Sequence, residues 1–500
     1  MQPNLGASKK IAYLRDRLFV PEEYVTLDML ERFETKLVLG INKATEEPII
    51  QSLYHYERTQ VTRDEAIYAF NRGDMCLIRE VFHDFEIQDD RVEVPMRHPL
   101  KIRFTEGRTW RPYQPDAIGA LLSHDYGVLK APPRSGKTLM LAAAICAERQ
   151  KTIVFAHQTD LLEQMLDTFE QYTNLKELQK NTKERIVGIA EDWDDFDKFD
   201  VVLCTKQTFD RPANKHQLIL IQKMFGSVWV DESHWVPAEV YSKTINRFWA
   251  KKRQGCTATP KRKDQLDSIM DYVLGPVIWE IFPTQTKRVP VQVTTIGTGI
   301  GTRIGDFTAY LSFLVKEKTR NDLILKWIEQ DVRAGHTVIA CTDRKEHTYN
   351  MVEWLLERGI KAVAWNGDLK TRESRLRVLN RMRTGECQVM VGMRRMMTGL
   401  DIPRASSFHN LTPTANAVSK GEHAGEGGYE QQCTRVLTEF PGKNLALIRD
   451  YCDFSPTAFG CLAARKKTYT KIGAEILKAK MEAEEKEKVP DAGTATATSM

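Results

Sequence analysis

Residues 131–138 read APPRSGKT, and Gly136-Lys137-Thr138 at the end has the make-up of a phosphate-binding loop. In such a loop the lysine reaches the β- and γ-phosphates of a nucleotide, backbone N–H groups at a helix N-terminus face the same charge, and the threonine hydroxyl helps hold Mg2+. The usual pattern opens with glycine, whereas Ala131 holds that place here. A lone GKT also turns up by chance in ordinary loops, so its surroundings decide its meaning. Downstream, SVWVDESHW puts Asp231-Glu232-Ser233-His234 at the end of an apolar run. Asp231 suits a metal ion held through water and Glu232 suits the polarising of an attacking water, so Thr138, Asp231 and Glu232 form a candidate Mg2+ set. The plainer reading of an isolated Asp-Glu pair is a solvated turn.

Such residues need elements to hold them. From about residue 100 to 285, short apolar runs alternate with amphipathic stretches: DYGVLKA, TLMLAAAICAERQ, KTIVFAH, DLLEQMLDTFEQY, FDVVLCT, SVWVDES. This is a βα series with a doubly wound parallel sheet, and APPRSGKT falls between a strand and a helix, as a phosphate loop requires. A second βα series starts near residue 320 and runs through HTVIACT, IKAVAWNG, CQVMVGM and NLALIRDYCD. The expected division is an N-terminal accessory domain over 1–95, a first α/β domain over 96–285, a glycine-rich linker or hairpin over 286–319, a second α/β domain over 320–462, and a charged helix with a disordered tail over 463–500. DMLERFETKLVLGI and RDEAIYAFNRG, in the accessory domain, read as helical.

Composition sets the outer bounds. Five hundred residues, 42% hydrophobic and 28% charged, suffice for two or three globular domains. The formal charge of +5 is mild, since 72 basic residues meet 67 acidic ones, so a nucleic-acid partner requires a local patch. Nine scattered cysteines without a C-x-x-C pair argue against a disulfide framework and a zinc site. No secretory leader and no run of about 18 apolar residues is evident, so no membrane contact is expected and the chain reads as cytoplasmic.

APPRSGKT, DESH, CTATP (Cys256 to Pro260), GMRRMMTGLDIP (Gly392 to Pro403) and YEQQCTRV (Tyr429 to Val436) resemble, in order and spacing, the motifs of superfamily 2 helicases and translocases. That group commonly carries alanine at the head of the loop. Arg134 stands where many relatives have glycine. The N-terminal module, the DExH-type box and the run MTGLDIP before QQCTRVL are most similar to phage branch-migrating DNA helicases of the T4 UvsW kind and their T5-like counterparts. The resemblance implies two tandem RecA-like domains that bind ATP and Mg2+ between them, a monomer acting on branched or forked DNA, and host cytoplasm as the location if the chain is phage-encoded. An RNA helicase, or an ATP-gated clamp that does not translocate, remains open beside it, with single-stranded DNA or RNA as partner.

The resemblance also implies roles. Gln114 matches the glutamine that reads adenine, with Trp110 or Tyr113 as a stacking or core aromatic. Arg111, Pro133, Arg134, Ser135, Gly136, Lys137, Thr138, Gly399 and Asp401 complete the nucleotide contacts. Lys137, Asp231, Glu232, Gln431 and Arg435 form the catalytic set. His157, Gln158, Thr205, Gln207, Thr342, Arg344 and Thr398 match strand-tracking positions, and short polar groups at strand ends suit phosphate contacts. His234, Thr257 and Thr259 match the coupling positions. One departure stands out: the last motif normally carries two arginines, and aligning Gln431 and Arg435 puts Thr438 at the second. Arg435 is then the finger that stabilises transition-state charge, with Arg394 or Arg395 either assisting it or contacting DNA phosphate.

Overall fold

The computed structural model describes the chain apart from residues 1–9, 42–47, 105–108, 133, 212–214, 234–235, 237–238, 259–266, 283–284, 286–287, 303, 305, 398–399, 401, 415–427 and 479–500. The first described unit is a sheet. Strands β1 (Ile11–Leu14), β2 (Leu18–Pro21), β5 (Tyr56–Gln60), β6 (Ala66–Phe70) and β7 (Glu86–Asp89) lie in the order β5-β6-β2-β1-β7, beside a separate hairpin of β3 (Glu34–Ile41) and β4 (Pro48–Tyr54). Leu18, Val20 and Phe70 alternate inward and pack on Ile78 and Phe82. The two stretches that read as helical are thus largely strand. DMLERFETKLVLGI keeps only the short helix Leu27–Arg32 before β3, and RDEAIYAFNRG holds β6. Ile67, Tyr68 and Phe70 favour a pleated surface, and that preference outweighs the helix-like scatter of charge around them.

The accessory sheet is fastened to the next domain by buried cations. Arg72 and Arg253 are both 0% exposed. Arg72 donates to Ala250 O at 2.6 Å and Phe248 O at 3.2 Å; Arg253 donates to Phe248 O at 2.7 Å and reaches back to Asp16 O at 2.8 Å. Burial pulls both guanidinium groups below their ordinary pKa, and for Arg253 the adjacent Arg72 adds to it. His55 stacks on Tyr272 with ring centroids 3.6 Å apart, and burial lowers the imidazole to about 4, so the stack is neutral.

Strands β8 (Tyr126–Lys130), β9 (Thr152–Ala156), β10 (Val187–Ile189), β11 (Val201–Thr205), β12 (Ser227–Asp231), β13 (Lys252–Thr257) and β14 (Val277–Glu280) form a parallel sheet in the order β10-β11-β9-β12-β13-β8-β14. Val154, Ala156 and Trp229 face one hydrophobic layer, while Ile153, Phe155, Val228 and Val230 face the other. Both faces are covered, which is why these strands read as unbroken apolar runs.

The third sheet repeats the plan with β15 (Val291–Gly301), β16 (Thr337–Thr342), β17 (Ala362–Trp365), β18 (Val389–Met393), β19 (Ala405–Asn410), β20 (Ala446–Phe454) and β21 (Glu475–Lys478), ordered β17-β18-β16-β19-β20-β15-β21. The glycine-rich stretch expected as a linker or hairpin is therefore a strand, β15, paired along its length with β20. Its β-branched residues Val291, Val293 and Ile296 are buried and decide the matter over its glycines. The expected C-terminal charged helix stops at Lys471, and Gly473, at φ 73°, turns the chain into β21. Arg465, in the segment expected as a charged helix, is buried against Asp450.

Inside this domain Asp331, on the helix Lys318–Arg333, ties three elements together. It accepts from Ser407 Oγ at 2.7 Å and Arg449 Nε at 3.0 Å, and lies 3.0 Å from His409 Nε2. Burial opposes its charge, but the His409 and Arg449 hydrogen bonds prevail and hold the carboxyl well below the usual range. A carboxyl so depressed stabilises the fold above the unfolded value of about 4 and loses that contribution as pH falls. Asp331→Asn is expected to lower stability by about 3–5 kcal/mol at neutral pH by stranding the buried Arg449 charge. Urea unfolding followed by near-ultraviolet circular dichroism should show the gap from wild type narrowing below about pH 4.

Candidate nucleotide site and nucleic-acid cleft

The phosphate loop joins β8 to the helix Lys137–Glu148, whose N-cap is Gly136 at φ 87°. Glycine is required there twice over: the backbone is left-handed, and a Cβ would lie 2.5 Å from Gln114 Nε2. Ala131 is a different case. It lies outside the positive-φ residues, is 0% exposed, packs in the domain core, and donates its N–H to Thr257 O at 2.9 Å. The head of the loop is thereby fixed to the end of β13, and a methyl group is accommodated without strain.

A second layer holds the loop from behind. Gln114 Nε2 and Tyr113 Oη each donate to Ser135 O at 3.0 Å, Arg111 donates to Arg134 O at 2.6 Å, and Gln114 Oε1 accepts from Arg111 N. In this arrangement the Gln114 amide ties the Arg111 backbone to the loop at Ser135. Tyr113 is a buried aromatic, and Trp110 meets Phe104 edge-on at 4.6 Å. The Ser135 hydroxyl is buried without a hydrogen-bond partner among the described residues, which suits a ligand oxygen at the loop.

Asp231 ends β12 and Glu232 follows it. Lys137 Nζ is 3.0 Å from Glu232 Oε1, with both side chains largely buried. Burial works against the Lys137 charge, yet Glu232, Cys256 and Asp231 outweigh it and hold the amine above its ordinary value. Burial and the adjacent Glu232 raise Asp231. Asp231 Oδ1 accepts from Glu232 N at 3.0 Å and from the Cys256 thiol at 3.1 Å.

Four described non-glycine residues have positive φ. Arg149 and Lys183 cap helix C-termini, a routine use of that conformation. Arg134 at φ 67° and Glu232 at φ 53° flank Lys137 instead. A glycine at position 134 would be unstrained; arginine there costs about 1–3 kcal/mol, the kind of strain that collects at functional sites.

The second domain carries Arg435 after the helix Gly428–Thr434, with its NH1 donating to Leu400 O. Arg394 is neither a helper finger nor a surface contact: it is buried, 3.1 Å from both Asp343 oxygens, and donates to Gln432 Oε1 at 2.9 Å and Asn410 Oδ1 at 2.7 Å. Pro133, His234, Thr259, Thr398, Gly399 and Asp401 lie outside the described residues, as do the side chains of Gln431 and Arg395 and the insert at 415–427.

The positions expected to track a strand lie at strand ends. His157 and Gln158 follow β9, Thr205 ends β11 and caps the helix Lys206–Phe209 that contains the exposed Gln207, and Arg344 follows β16. Thr342 does not reach the surface: it is 0% exposed, with its hydroxyl 3.0 Å from His347 Nδ1, so it shapes the turn that presents Arg344. Between the domains lies a cleft of about 750 Å3 lined by Thr205, Thr208, Arg211, Lys370, Arg372 and Arg375 among others. Sequence reading missed its cross-domain clasp. Asp160, Glu163, Asp167 and Glu170 repeat at helical spacing along the helix Thr159–Tyr172 and meet two arginines of the helix Arg372–Thr384. Arg375 Nε donates to Glu163 at 3.0 Å, and Arg372 is 2.5 Å from Asp167 and 3.4 Å from Glu170. The signal was the i, i+3, i+7, i+10 spacing of carboxylates, which alone reads as a solvated face.

Residues 108–262 match the family described as the res subunit of type III restriction enzymes, and residues 319–437 match the helicase conserved C-terminal domain. The chain is 22% identical over 346 residues to the DNA 3'-5' translocase XPB2 of Sulfurisphaera tokodaii, covering 59% of this chain and 73% of the relative. It is 24% identical over 247 residues to a probable helicase of Escherichia phage T5, covering 47% of this chain and 49% of that protein. A match to the TFIIH helicase/translocase subunit XPB of Dictyostelium discoideum, at 23% identity, covers 40% of this chain and 28% of the relative. Among solved structures, S. cerevisiae Dbp5 bound to RNA and ADP BeF3 shares the fold with a TM-score of 0.52 at 16% identity, covering 75% of this chain and 91% of that one. No described helix is long and apolar enough to cross a membrane. Two RecA-like domains in tandem, each matched to its helicase domain and together framing the loop, the carboxylates and the arginine, make the chain a member of the superfamily 2 helicases and an ATP-dependent enzyme of that kind.

Proposed function

We propose that the chain is an ATP-driven DNA motor that unwinds or branch-migrates forked and Holliday-junction DNA in replication, recombination or repair. The observation that carries the motor reading is the division of one sheet edge. In the order β10-β11-β9-β12-β13-β8-β14, the ends of β12, β13 and β8 hold the nucleotide residues, and the ends of β11 and β9 hold the strand-tracking ones. The two groups meet between β9 and β12, so a shift at one site is transmitted to the other through adjacent parallel strands. The DNA relatives and the phage relative support DNA as the track.

Lys137 binds the outer phosphates once a polyphosphate displaces Glu232 from it; Glu232, released, orients and polarises water for attack on the γ-phosphate. Hard oxygen donors fit Mg2+, which Thr138 and Asp231 would hold and which would neutralise phosphate charge. Arg435 acts across the cleft on the same phosphate. Thr205, Gln207, Gln158 and Arg344 contact the backbone of the track, and Thr257, bonded to Ala131, couples the two sites. Closure on ATP and opening after hydrolysis move the domains past each other along a strand.

Lys137→Ala is expected to abolish ATPase, and Glu232→Gln to lower kcat by roughly 10^2–10^4-fold while a fluorescent ATP analogue still binds. Arg435→Ala should likewise retain binding and lose turnover, by about 10^3-fold or more; near-normal kcat would remove it from the finger role. ATPase stimulation should be greatest with forked DNA and four-way junctions in a panel that includes single-stranded DNA and structured RNA. Stimulation by RNA alone would overturn the DNA reading, and junction-stimulated hydrolysis without strand separation would favour a clamp.

A further inference from the structure

The end of β13 runs past the phosphate loop and the carboxylates alike, and its last three residues each meet a different part of the site. Gly255 lies against the DExH-type box, where a Cβ would come within 2.7 Å of Ser233 Cβ. Cys256 is the register partner of Asp231 on β12. Thr257 O accepts the Ala131 N–H at the head of the loop at 2.9 Å. This strand therefore sets the spacing between the loop and the carboxylates, and Cys256 makes its share of the contact through its side chain.

The Cys256 thiol lies 3.1 Å from Asp231 Oδ1, and since an ionised carboxylate only accepts, the thiol donates. The Glu232 N–H donates to the same oxygen at 3.0 Å. Asp231 and Cys256 are both buried, the cysteine at 0% exposure in the hydrophobic layer that holds Ala131 and Trp229. The terminal torsion of an aspartate is broad and soft. A donor from the following residue and another from the neighbouring strand, both on one oxygen, narrow that torsion and thereby fix where Oδ2 lies.

We propose that Cys256 is a positioning residue for Mg2+-nucleotide binding, its thiol holding Asp231 in the orientation in which the carboxylate takes the ion. The assignment rests on the reading above in which Thr138 and Asp231 hold Mg2+. Cys256 acts through the carboxylate and is not itself a ligand, because a hard cation such as Mg2+ takes oxygen in preference to sulfur. A neutral thiol also orients Asp231 without adding charge to a buried cluster that already contains Lys137 and Glu232.

The test uses the full chain with Cys256→Val, Cys256→Ala, Cys256→Ser and Asp231→Asn. It measures equilibrium binding of a non-hydrolysable ATP analogue in Mg2+ and in EDTA, the Mg2+ concentration that half-saturates DNA-stimulated kcat, and thermal unfolding. Cys256→Val and Cys256→Ala are expected to weaken analogue binding in Mg2+ by about 10-fold and to raise half-saturating Mg2+ by about the same factor, as losing a group that orients a metal ligand commonly does. Binding in EDTA should stay at the wild-type level, and Cys256→Ser, which keeps a donor, should recover most of the Mg2+ effect. Wild-type Mg2+ dependence in Cys256→Val and Cys256→Ala overturns the proposal while leaving ATP hydrolysis standing. Equal weakening in Mg2+ and in EDTA, with a lower unfolding temperature and no recovery in Cys256→Ser, also overturns it, because the side chain then serves packing alone. A Mg2+ effect that is absent from the wild type, or intact in Asp231→Asn, removes instead the metal reading on which the proposal rests.

Discussion

All strands of each large sheet run the same way, and the rest of the molecule follows from that constraint. A parallel strand must hand the chain to a helix at its C-terminal end, so the turns rich in N–H groups gather on a single edge. The phosphate loop after β8, the carboxylates at the end of β12 and Thr257 at the end of β13 are neighbours because their strands are. The same edge carries His157, Gln158 and Thr205 on the two strands beyond. One geometric rule thus places the proposed phosphate chemistry and the proposed backbone tracking side by side without any side chain having to span the sheet.

Strain marks the chemistry within that edge. Arg134 and Glu232 hold left-handed backbone on either side of Lys137, while the other two such residues merely end helices. Asp231 has one oxygen fixed by a backbone N–H and a thiol. The site is therefore set before a nucleotide arrives, with Lys137 waiting on Glu232. Preset dipoles and charges of this kind need little rearrangement when phosphate charge develops.

Much of this was legible in the sequence, and the misreadings have physical causes. The apolar runs of β9, β11 and β12 could only be doubly covered strands, and the loop and DExH-type box announced themselves by their position after them. β15 was obscured because glycines mask a β-branched strand whose partner, β20, lies far along the chain. β3 was obscured by Glu34 and Lys36 within it, and β6 by the charged residues that flank it in sequence. Arg394 looked like a free cation in its motif, and no local pattern reveals that Asp343, Asn410 and Gln432 converge on it from three separate elements. The acidic stripe from Asp160 to Glu170 was visible, but its meaning required a second helix to face it.

The arginines that anchor the accessory sheet have a mechanical meaning. Arg72 and Arg253 grip backbone carbonyls deep inside the junction, and such contacts yield little under load. The two large domains, by contrast, are joined by side-chain ion pairs that salt and solvent soften. The chain thus has one stiff joint and one compliant joint. On the proposed motor reading, domain movement would flex the compliant one, and the accessory sheet would travel with the phosphate loop of the first domain.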